Sequence, residues 1–100
     1  MSKFDIHAAP SSSVPFLMDL QDDIVDLLST RVVAPLIPAM DVEKRMKILN
    51  PVIQIKGTEY VLMTHLLAAV SFSALGEKVD TAISQRDEII ASLDFLFTGV

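Results

Sequence analysis

Four carboxylates lie within eight positions: Asp19, Asp22, Asp23 and Asp26. Such a cluster could coordinate a divalent ion through oxygen ligands. It has neither the central glycine nor the closing glutamate of a calcium-binding loop. An acidic exposed turn is therefore expected, and metal ligands are assigned to none. Ile24 and Val25 sit inside this segment, either buried or as an exposed apolar pair framed by charge. The two histidines, His7 and His65, fall on different expected strands, and neither has metal-binding spacing. His65 reads as a sheet histidine rather than a base. A Ser-His-Asp set could be assembled from almost any chain this rich in hydroxyls, so its availability carries no weight. The glycines Gly57, Gly76 and Gly99 are too dispersed to cradle phosphate. Without cysteine there is no disulfide, thiolate nucleophile or thiolate metal site. No catalytic residue and no cofactor is expected. The chain reads as a protein-binding module rather than an enzyme.

Composition supports that reading. One hundred residues make one domain, 1–100, and 51% of them are hydrophobic. A mean hydropathy of +0.48 is high for so small a globule, and a homo-oligomeric interface is its simplest outlet. The net charge of −5 argues against direct nucleic-acid binding, where cations must neutralise phosphates. The basic cluster Lys44, Arg45 and Lys47 is either a small contact patch or a solvated face. The N-terminus has no apolar run after Lys3, as a secretion signal would require. The apolar stretch from Tyr60 to Gly76 is short for a membrane span and carries Thr64, His65, Ser71 and Ser73. A cytoplasmic protein without a membrane partner is expected.

The elements that must position these residues follow from periodicity. Lys3 to His7 alternates and reads as a strand. Phe16 to Leu20 is its return strand, with Phe16, Met18 and Leu20 on one face and Leu17 and Asp19 on the other. Arg31 to Pro38 is a third strand, which Pro35 should confine to an edge or a bulge. Ala39 to Leu49 reads as a short helix or helical turn. Val52 to Ile55, the Lys56-Gly57 turn, and Thr58 to Met63 form a hairpin, with glycine supplying positive φ. His65 to Ser73 is a further apolar strand. A C-terminal helix is signalled by Ser84 and Asp87 as a cap, by Ile83, Ile90 and Phe97 at heptad spacing, and by Ile89, Leu93 and Leu96 beside them. Gly99 is its expected left-handed stop. Five to seven short strands before one helix make a mostly β, α+β domain.

The ending "SLDFLFTGV" places Phe95, Leu96 and Phe97 where chains usually fray. Either it docks into its own core or something else binds it. Spacing favours Leu93, Leu96 and Phe97 packing inward, with Thr98, Gly99 and Val100 projecting.

Five segments, "FLMDLQDDIVD", "TRVVAPL", "LNPVIQI", "LMTHLLAAVSFSALGEKV" and "IIASLDFLFTGV", together resemble the CcdB toxins over essentially the whole chain. The resemblance implies an SH3-like β-barrel core of antiparallel strands, a small extra sheet and a C-terminal helix, assembled as a homodimer. It implies the toxin of a type II toxin–antitoxin system, which is not an enzyme. Such toxins bind the A subunit of DNA gyrase and trap its cleavage complex. A CcdA-like antitoxin neutralises them, and the pair represses its own operon with DNA reached only through the antitoxin. Carried over by position, the gyrase contacts are Ile24, Val25, Asp94, Phe97, Thr98, Gly99 and Val100. A dimer seam is expected along Leu66, Ala69, Val70 and Phe72, with Leu96 from the helix. The best-known pattern ends Phe-Trp-Gly-Ile, whereas this chain has Thr98 in place of the tryptophan, and Asp94 where that pattern has asparagine. The departure at Thr98 leaves an alternative: a homologue that binds antitoxin but poisons gyrase weakly or not at all.

Overall fold

A computed structural model describes residues 2–10, 12–22 and 29–99. Asp23, Ile24, Val25, Asp26 and Val100 lie outside the described residues.

Among the described residues, seven strands build one antiparallel sheet: β1 (Asp5–Ala8), β2 (Phe16–Asp19), β3 (Thr30–Pro38), β4 (Val52–Ile55), β5 (Thr58–Leu62), β6 (Ala68–Ser71) and β7 (Lys78–Thr81). Their order is β4-β5-β3-β2-β1-β7, with β6 branching off β3. The sheet curls into an open half-barrel, and one helix, α1 (Arg86–Thr98), follows it. This is the expected mostly β, α+β class, with β6 as the additional strand.

Alternation explains how β2 divides the interior. Met18 and Leu20 join Phe4, Ile6, Ala34, Leu36, Ile53, Ile55, Leu62 and Ile89 in the main core, with Phe16 packed against it. Leu17 points to the other face, where it meets Ala9 and Val33. The hairpin also forms as read. Lys56 and Gly57 both take positive φ (50° and 84°), which matches the strand twist of a two-residue turn.

Two expectations are corrected and one is narrowed. β3 is central, not an edge, yet Pro35 disrupts no ladder. Thr30 to Val33 pair with β6, whereas Leu36 to Pro38 pair with β5. Pro35 falls at the handover, and its carbonyl accepts from the Met63 N–H at 2.9 Å. A residue's N–H and C=O point to the same side of a strand, so the missing N–H faces the gap between partners. Second, of the short helix or helical turn expected from Ala39 to Leu49, the turn is what forms, a 3-10 turn at Ala39–Asp41. Met40, Met46 and Ile48 are exposed, so no core stripe exists to pull this segment into a helix. Third, Ser84 does not cap α1. A 3-10 turn, Ile83–Gln85, leads into the helix and makes Gln85 the boundary residue, with no side-chain cap.

Candidate interaction surface at the helix end and loop stem

Asp19 is the residue whose role differs most from its sequence reading. It is fully buried, not part of an exposed acidic turn, and it pairs with an equally buried Arg31. The guanidinium Nη2 donates to Oδ2 at 2.6 Å, and Nε lies 3.2 and 3.1 Å from the two carboxylate oxygens. The same Nη2 donates to the Gln21 carbonyl at 2.6 Å. The Gln21 N–H donates to Asp19 Oδ1 at 2.9 Å, and the Gln21 side chain accepts from the Val32 N–H at 2.9 Å. Two buried opposite charges that satisfy each other and the neighbouring backbone form a rigid clamp. It ties the end of β2 to the start of β3, and so fixes both stems of the segment carrying Ile24 and Val25. No group of metal-ligating side chains occurs among the described residues.

The helix shares a pocket with Gln21, the clamp residue that bonds both Asp19 and Arg31. Ile89 and Ser92 are its buried residues, with Leu93 packed against the main core. Ser92 is tolerated there because its hydroxyl donates to the Ile89 carbonyl at 2.7 Å and lies 3.2 Å from Thr64 Oγ1. The buried stripe is thus offset from the expected heptad. Ile83, Ile90 and Phe97 are exposed, Phe97 by 70%. Phe97 therefore does not pack inward as its spacing suggested.

Around it opens a groove of about 480 Å³, lined by Leu20, Gln21, Asp22, Val32, Leu67, Leu93 and Phe97. The helix end and the loop stem are two walls of one surface. Asp94 is exposed on the last turns of α1. The Thr98 hydroxyl donates to the Asp94 carbonyl at 2.6 Å, a return to the helix backbone. Gly99 takes φ 76° and its N–H donates to the Phe95 carbonyl at 2.9 Å, ending the helix in the left-handed conformation as expected.

Of the expected seam, Leu66 and Ala69 are exposed and Phe72 and Leu96 half-buried. Val70 packs against Ala9, Leu17 and Val33 within the chain. The histidines divide differently from expectation. His65 is exposed in a 3-10 turn, Thr64–Leu66, rather than in a strand, with Nδ1 3.3 Å from Asn50 Nδ2. His7 is buried in β1 with Nδ1 3.1 Å from the Gly76 carbonyl.

Sequence reasoning missed Arg31 as a partner for Asp19. The available signal was an arginine opening an otherwise apolar strand, which requires a buried counter-charge.

The chain is thus an open half-barrel sheet followed by one helix, with an apolar groove between the helix end and the residues that follow β2. The family model described as CcdB protein matches residues 3–99, and the chain belongs to the CcdB family. Among solved structures, it resembles an endoribonuclease in complex with its cognate antitoxin from a mycobacterial species. The TM-score is 0.76 at 10% identity, over 96% of this chain and 93% of that one. At that identity the likeness is one of fold.

Proposed function

We propose that this chain is the toxin of a type II toxin–antitoxin system, and that it acts by binding the A subunit of DNA gyrase and trapping the cleavage complex. Membership of the CcdB family supports the reading. The observation that carries it is Phe97, 70% exposed on an apolar groove whose other wall includes Leu20, Gln21 and Asp22, just before Ile24 and Val25 in sequence. Exposed aromatic side chains beside a preformed groove are the usual anchors of protein interfaces. The action is by binding, without catalysis. The protein is a cytoplasmic homodimer, with Leu66, Ala69, Val70, Phe72 and Leu96 at the seam. A CcdA-like antitoxin neutralises it and joins it in repressing the operon. No described helix is long and apolar enough to cross a membrane.

A second reading is favoured by Thr98, whose hydroxyl returns to the Asp94 carbonyl, so that no second aromatic projects beside Phe97. In this reading the chain binds antitoxin and leaves gyrase unharmed.

Expression without antitoxin separates the readings. Growth arrest with gyrase-linked double-strand breaks is expected, together with submicromolar binding to a gyrase A fragment. Removing Gly99 and Val100 should abolish killing and preserve antitoxin binding. Intact growth and DNA under strong expression would sink the poison reading in favour of the second. RNA cleavage by purified chain would overturn the non-catalytic action.

A further inference from the structure

A sheet that does not close leaves two edges, and each edge strand presents unpaired N–H and C=O groups to other chains. Here, among the described residues, the path ends at β4 and β7, and β6, which pairs only with β3, leaves a further edge. β7 is blunted in a familiar way. Lys78 and Asp80 lie on it, and its register with β1 slips between Ile6 and His7. β4 has no such defence. Its sequence, Val52-Ile53-Gln54-Ile55, is uncharged and mostly β-branched, the composition that favours strand pairing.

One side chain covers it. Gln85 Nε2 donates to the Val52 carbonyl at 2.8 Å, while Gln85 Oε1 accepts from the Gln54 N–H at 3.4 Å. Val52 and Gln54 are two apart, so their outward backbone groups share one side of the strand. A primary amide offers a donor and an acceptor in the same arrangement as a peptide unit. Gln85 thereby takes two of the bonds that an added strand would make, at the Val52 carbonyl and the Gln54 N–H, and occupies them from within the chain.

We propose that Gln85 closes a strand-addition site, and that the strand it excludes is β4 of a second copy of this chain. The segment is self-complementary. Antiparallel pairing about a two-fold at Ile53 sets Val52 of one copy opposite Gln54 of the other, and each pair exchanges the bonds now made to Gln85. Neither partner brings a charge to the contact, since Val52, Ile53, Gln54 and Ile55 are all neutral. This contact is distinct from the seam proposed above and does not depend on it.

Sedimentation velocity over a concentration series tests the idea on Gln85→Leu, which keeps the bulk and loses the amide. It should form a species larger than any in the wild type, with self-association tightened by about tenfold, as expected for two uncovered hydrogen-bonding groups. Adding Gln54→Pro, which removes the outward N–H and leaves the β5 ladder intact, should restore the wild-type profile. A wild-type profile for Gln85→Leu, or association that survives Gln54→Pro, overturns the proposal. If Gln85→Leu fails to fold, hydrogen exchange on the wild type decides. The Gln54 amide should exchange more slowly than an exposed loop amide, and equal rates overturn the closure.

Discussion

The two ends of α1 are held in opposite ways. At its start, Gln85 reaches the backbone of β4, and Ile89 is fully buried one turn further on. At its finish, Phe97 is largely exposed and the backbone ends on a left-handed glycine. One helix therefore joins a fixed end, which carries fold stability, to an open end available for contact. Burial and exposure are separated along thirteen residues. A substitution at the exposed end should leave fold stability little changed.

The contrast breaks most completely at the clamp beneath the open end. Asp19→Ala removes the buried carboxylate that faces the Arg31 guanidinium, at a cost of about 3–5 kcal/mol. Urea denaturation should show that loss, and target binding should fall with it because the groove wall is gone. A smaller effect is expected at the helix stop. Gly99→Ala forces a side chain into left-handed backbone, for about 1 kcal/mol. A thermal melt reads this as a shift of a few degrees. The smallest stability effect belongs to Phe97→Ser, below about 0.5 kcal/mol because the ring has little burial to lose. Its binding loss should be the largest of the three relative to stability, measured by calorimetry against a gyrase A fragment. A Phe97→Ser protein that is badly destabilised would show the open end to be part of the core.

How much of this was legible follows from the range of the forces involved. The β4–β5 hairpin and the helix stop are local: a glycine with positive φ fixes each within a few residues. The two faces of β2 were also legible, because side chains in a strand alternate whatever the fold. The clamp was not. Asp19 and Arg31 are separated by a segment dense in other carboxylates, and composition made all of them look solvated. Pro35 misled for a related reason. Its constraint was read correctly, but a strand can be central and still change partners beside one residue. The tail divided differently from its spacing, since the helix turns Ser92 rather than Phe97 toward the interior. A hydroxyl that bonds its own helix backbone and Thr64 replaces the apolar residue that periodicity demands. Ile24, Val25 and Val100 lie outside the described residues.

The pairing of β1 with β7 has a consequence for biosynthesis. Asp5 is made before strands β2 to β6, yet its strand partner Thr81 appears only after them. A ribosome adds ~5–20 residues per second, so β1 waits seconds for its neighbour. Phe97 is added later still. The nascent chain thus receives the β7 strand of its sheet before the exposed aromatic ring at the helix end.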